Sequence, residues 1–193
     1  GCDQLGRPLT ICSQRGAKRP PRRGVGRSHL PRAQGTFLAK RGEWLPRFPN
    51  VYELATFLAD NPITRELSST DIAELLFALQ VVPVGAGEPL FAAGDVGDAF
   101  YLVYAGTLQL ERGGQVIGRV APGALVGEHA VIDGQPRAAT ARAEGPAICL
   151  RFPTATMEAL LGSGSLAMHR LLVAMLRGRS EEHTSELQSP CNL

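Results

Sequence analysis

The sequence holds little that would mark an enzyme, a secreted module or a membrane protein. Its four cysteines, Cys2, Cys12, Cys149 and Cys191, show no Cys-x-x-Cys spacing. Cys149 falls in an apolar strand pattern, so the expectation is a buried free thiol in a reducing compartment, not a disulfide or a metal site. His29, His129 and His169 lie in unrelated segments and no His-x-His occurs, which leaves a β-barrel metalloenzyme without its ligand cluster. Gly-x-Ser-x-Gly elbows and Walker loops are both missing. No apolar run approaches the ~20 residues that cross a bilayer, and no charged-then-apolar leader opens the chain. These absences point to a cytoplasmic protein with no membrane span, no catalytic centre, no metal and no cofactor.

What is present is unevenly distributed. The formal net charge is only +2 over 193 residues, but residues 1–47 carry eleven Lys or Arg against two acids, and the rest carry nine against sixteen. The front is basic and the remainder mildly acidic. Residues 1–47 centre on R-P-P-R-R-G-V-G-R, with no helical or strand period over their first 35 positions, and are expected to form a disordered tail that is not necessarily native. Gly1 is not a start methionine, so a native N-terminus is expected to be missing. At the other end, R-S-E-E-H-T-S-E-L-Q-S (residues 179–189) resembles the conceptual translation of a sequencing-library adapter. Residues 179–193 are therefore expected to be an artefact, which leaves residues 48–178 as the domain.

Between these ends the patterns are clear. Val51, Leu54, Phe57 and Leu58 recur at helical spacing and predict a short amphipathic helix ended by Asn61-Pro62. Ile72, Leu75, Leu76 and Leu79 predict a second helix, capped by Ser69 or Thr70. From Val81 to Pro153 short strands alternate with turns. Gly113-Gly114 is a hairpin signal between T-L-Q-L-E-R and Q-V-I-G-R-V. Two further helices follow Pro153, the last carrying Leu166, His169, Leu172 and Leu176 near one face. The expected fold is mainly β: an antiparallel β jelly-roll barrel with N-terminal helices and two C-terminal helices.

The chemistry is concentrated in V-G-E-H-A-V-I-D-G-Q-P-R-A-A-T-A-R-A, residues 126–143. Gly127 lets backbone approach closely because it has no Cβ. A helix start leaves free N–H groups that favour an anion. Arg137 offers a planar fork of donors for phosphate oxygens, although a surface ion pair with Asp133 or Glu128 would also occupy it. Glu128 would repel phosphate and is better suited to accept hydrogen bonds from sugar hydroxyls.

This stretch resembles the phosphate-binding cassette of cyclic-nucleotide-binding domains, whose usual form is close to F-G-E-(L/M)-A-L, a short loop, then P-R-(A/S)-A-T. The match runs through Gly127, Glu128, Ala130, Pro136, Arg137, Ala138, Ala139 and Thr140. The run from Gly87 to Leu110 resembles the first half of the same domain, and the whole likeness covers roughly residues 66–178. It implies ligand-binding roles for Gly127, Glu128, Ala130, Arg137, Ala138 and Ala139. Phosphate would go to Arg137 and cassette N–H groups, ribose to Glu128, and the base to barrel surface plus the last helix. Relatives that prefer the guanine nucleotide often carry Thr where Ala138 stands, so cAMP is expected ahead of cGMP. Thr140 reads as a strand residue.

The resemblance also implies a bacterial regulatory sensor in signal transduction, whose C-terminal helices move on binding and whose last helix serves a homodimer. Its alternatives are the sensor half of a regulator resembling catabolite activator protein, the regulatory part of an enzyme, transporter or channel, and a non-binding interaction module. Nucleic acid would be a partner only through a lost C-terminal domain. Two departures stand out: Val126 replaces the usual Phe, and His129 the usual Leu or Met. His129 is left between an exposed residue, a bonded core histidine and a pH-sensitive element.

Overall fold

The computed structural model describes the backbone of residues 37–40 and 43–186 and the side chains of residues 47–177. Residues 1–36, 41–42 and 187–193 lie outside the described residues, and with them most of the expected tail and the end of the adapter-like segment. The last residues of the expected tail are extended: β1 (Phe37–Lys40) pairs with β2 (Glu43–Pro46) as an antiparallel hairpin.

Two helices follow, each opened by a reciprocal cap. In α1 (Val51–Asp60), Asn50 accepts from the Glu53 N–H while the Glu53 carboxylate accepts from the Asn50 N–H. In α2 (Ser69–Ala78), Ser68 and Asp71 do the same. The cap is thus Ser68, one residue before the Ser69 expected from sequence, because Asp71 lies three positions beyond it and can return the bond. Asn61 ends α1 as expected and is fully buried. Its Nδ2 donates to the Gly123 carbonyl at 2.9 Å, and its Oδ1 accepts from the Ile63 N–H.

Eight strands then build two antiparallel four-stranded sheets. One has the order β3 (Gln80–Val84), β10 (Ala147–Pro153), β5 (Ala99–Ala105), β8 (Leu125–Val126). The other has the order β4 (Pro89–Phe91), β9 (Thr140–Ala143), β6 (Leu108–Arg112), β7 (Gln115–Val120). The β6–β7 hairpin turns on Gly113 and Gly114, both at positive φ (59° and 79°), as a tight two-residue turn requires. This is the jelly-roll type of barrel expected from the strand and turn pattern.

Every residue of β5 is buried, because both faces of its sheet are covered. Ala99, Tyr101 and Val103 point into the barrel with Cys149 and Ala141. Phe100, Leu102 and Tyr104 point outward to the helices with Ile148, Leu150 and Phe152. The two-residue period of a strand thus serves two cores at once.

The helices complete the outer core. After β10 come α4 (Thr154–Gly162) and α5 (Leu166–Glu186). Met168, Leu171 and Met175 of α5 pack with Leu54, Leu58 and Leu75 of the N-terminal helices. Arg170 of α5 also forms an ion pair with Asp71 of α2. The backbone of α5 continues past Gly178, where the sequence reading closes the domain, and runs to Glu186.

Candidate nucleotide-binding site

The cassette begins where β8 leaves the barrel. Val126, buried at 4% exposure, pairs with Tyr101 of β5, so this smaller residue still packs behind the cassette. Gly127 follows at φ 81°, and α3 (Glu128–Asp133) starts immediately after it. The chain then loops through Gln135 and Pro136 to Arg137. The Arg137 backbone is clamped by the loop after β4. Its N–H donates to the Asp95 carbonyl and its carbonyl accepts from the Gly94 N–H, both at 2.8 Å. Thr140 Oγ1 accepts from the Ala93 N–H at 3.0 Å, a structural role in keeping with a strand residue.

The Arg137 side chain is only 1% exposed, so it is not on the surface, where the ion-pair alternative placed it. Its Nη1 donates to the Gly127 carbonyl at 2.6 Å and its Nη2 to the Ala99 carbonyl at 2.5 Å. Phe91 stacks under the guanidinium, 4.3 Å from ring centroid to Cζ, a favourable cation–π geometry. Asp98 Oδ1 lies 3.7 Å from Nη2, and its Oδ2 accepts from Arg151 at 2.6 Å. Burial pulls the Arg137 pKa below the usual arginine value, with Tyr101, Asp98, Asp95 and Glu128 acting in the opposite sense. Arg137 Nε is buried without a partner.

Glu128 opens α3 and is largely buried, its side chain 19% exposed. Oε1 lies 2.7 Å from His129 Nδ1, while Oε2 is buried and unpartnered. His129 is therefore half-exposed and bonded. Buried polar atoms are normally satisfied, so Glu128 Oε2 and Arg137 Nε are groups a ligand could complete. One of them accepts and the other donates.

Both residues line one cavity of about 620 Å³. Gly127, Ala130, Ala138 and Ala139 line it too, so all six expected site residues meet there. Ala130 is also structural: a Cβ placed on Gly97 would meet the Ala130 Cβ at 2.7 Å, so these two small residues permit close packing. Opposite the cassette, Leu110, Ile117 and Val120 form an apolar wall flanked by Arg112 and Arg119. Neither arginine lies in a motif that marks it from sequence. Arg112 Nε donates to the Ala138 carbonyl at 3.0 Å, and Arg119 pairs with Glu144 at 2.5 Å. Only their places on the β6–β7 hairpin could have suggested them.

Among the described residues, neither α4 nor α5 contributes to the cavity. α5 is held against α2, and the apolar strand residues lining the cavity lie on β4, β6, β7 and β8. No group of three His, Cys, Asp or Glu among the described residues is arranged to hold a metal, and no described helix is long and apolar enough to cross a membrane.

Comparison with known proteins places this geometry. The family model described as cyclic nucleotide-binding domain matches residues 81–163. A cAMP-dependent protein kinase regulatory subunit from Mycosarcoma maydis is 30% identical over 134 residues, 67% of this chain and 24% of that protein. The chain thus spans about a quarter of that relative's length. Catabolite activator protein from Thermus thermophilus is 31% identical with a TM-score of 0.55, over 65% of this chain and 61% of that one. The N-terminal domain of a transcriptional regulator from Streptomyces coelicolor is 27% identical with a TM-score of 0.58, over 70% of this chain and 99% of that one. These relatives include a eukaryotic protein as well as bacterial ones, so they do not support the expected bacterial origin. With the cassette, the two sheets and the cavity agreeing, residues 81–163 belong to the cyclic nucleotide-binding domain family.

Proposed function

We propose that the chain binds cAMP in the cassette cavity and acts as a regulatory sensor. The observation that carries this reading is the pairing of buried Arg137 with Glu128 in one cavity. Arg137 is held in place by two backbone carbonyls, with Nε–H and further N–H groups left over. It is a preorganised donor for a cyclic phosphate. Glu128 Oε2 is a matching acceptor for the ribose 2′-hydroxyl. Ala138 and Ala139 keep the floor small. Ala138 has no hydroxyl to bond a guanine amino group, which favours adenine over guanine and hence cAMP over cGMP.

The test is titration calorimetry of the full chain with cAMP and cGMP. Intact protein should bind cAMP more tightly than cGMP. Arg137→Ala should weaken cAMP binding by about 100-fold or more, as expected for lost charge-assisted hydrogen bonds, and Glu128→Ala should also weaken it strongly. No binding of either nucleotide by the intact chain would sink the reading.

For the effector, the likeness to catabolite activator protein and to a regulator's N-terminal domain favours a second reading, the sensor half of a transcription factor. A helix-turn-helix in the reading frame beyond this chain would decide it. Exposed Leu166 and Val173, two turns apart on α5, support a homodimer through that helix. Light scattering of the full chain would test this.

A further inference from the structure

His129 stands where the family pattern has leucine or methionine, and the structure gives it a partner. Its Nδ1 lies 2.7 Å from Glu128 Oε1, and its side chain is 51% exposed. Glu128 presents its other oxygen, Oε2, buried and unpartnered, and both residues line the cavity. An apolar side chain at position 129 could make no such bond. A carboxylate only accepts, so the imidazole nitrogen facing it must be the donor.

We propose that His129 is a positioning residue, which holds Glu128 by Oε1 so that Oε2 is presented to the ribose 2′-hydroxyl. The proposal rests on the cyclic nucleotide reading of this cavity. One physical effect follows. An unheld glutamate loses rotamer freedom when ligand binds, whereas here that ordering is completed on folding. Arg137 and Arg112 also line the cavity, with Arg137 seated on the Gly127 and Ala99 carbonyls and Arg112 on the Ala138 carbonyl. His129 therefore tunes the sugar contact and leaves the phosphate contact alone.

This separation makes the proposal testable with two ligands, cAMP and 2′-deoxy-cAMP, titrated into the full chain. Wild-type protein should prefer cAMP by about 10–100-fold, the usual worth of a hydrogen bond to a charged group. His129→Leu, which restores the family residue, should lower cAMP affinity by about tenfold and change 2′-deoxy-cAMP affinity by less than about twofold. His129→Gln, which keeps an N–H donor, should recover most of the loss. The proposal is overturned if His129→Leu retains the full preference for cAMP, or if it weakens both ligands equally. Wild-type protein that bound neither ligand would overturn the functional reading itself. Wild-type protein that bound cAMP with an unchanged His129→Leu profile would overturn only the role of His129.

Discussion

Arg137 occupies the space that a side chain at Gly127 would need. A Cβ on Gly127 would overlap Arg137 Nη1 and lie 3.2 Å from both Arg137 Cζ and Phe91 Cε1. The glycine that sequence reasoning assigns to ligand approach is thus also the wall against which the arginine is seated. Gly127→Ala should therefore remove binding by displacing the guanidinium. It should also cost about 1–3 kcal/mol of stability, since φ 81° is strained for any residue with a Cβ. Thermal melts and cAMP titration of the same variant check both effects.

Arg137→Lys keeps the charge but cannot bridge the Gly127 and Ala99 carbonyls as the planar fork does. Orphaned buried acceptors cost about 1–3 kcal/mol each. The variant should melt earlier than wild type and bind cAMP at least about tenfold more weakly. Denaturant unfolding and calorimetry measure the two losses separately. A lysine variant with wild-type affinity would show that charge alone is sufficient.

Asp71 links α2 to α5 through Arg170 and caps α2 with Ser68. Its carboxyl is held below the ordinary 3.8, first by the Ser68 backbone N–H and then by the Ser68 hydroxyl and Arg170, against an opposing effect of burial. A depressed carboxyl contributes stability that is present above the unfolded value and lost as pH falls through the folded one. Asp71→Asn should thus lower the melting temperature at neutral pH, with the difference from wild type shrinking below about pH 4. Parallel melts from pH 7 to pH 3 provide the comparison.

Cys149 lies inside the barrel at 0% exposure, with its thiol pushed up to about 12 by burial. Because the thiolate is the reactive form, this cysteine should resist alkylation in the folded protein and react once it is unfolded. Mass-spectrometric mapping of iodoacetamide adducts with and without denaturant tests this directly.

Much of this architecture is legible from local pattern. The run A-F-Y-L-V-Y-A became β5 with both faces buried, and Gly113-Gly114 became the β6–β7 turn. The cassette residues converge because their spacing encodes a loop around one cavity. What escaped the sequence are contacts between distant positions. Asn61 looked like a helix end, but its amide also joins α1 to Gly123, far along the chain. Arg137 looked like a ligand contact, but two of its bonds go to carbonyls of Gly127 and Ala99. Met168, Leu171 and Met175 of α5 are buried against α1 and α2, and periodicity does not reveal which neighbour a helix face will meet.

The back of α3 joins the cavity wall to the outer core. While Glu128 faces the cavity, Val131 and Ile132 rest on the outer core that also contains Met168 and Leu171 of α5. Close-packed interiors yield little in volume, so any tilt of α3 would be felt in this shared hydrocarbon. Shaving Ile132 to alanine would leave slack at that seam.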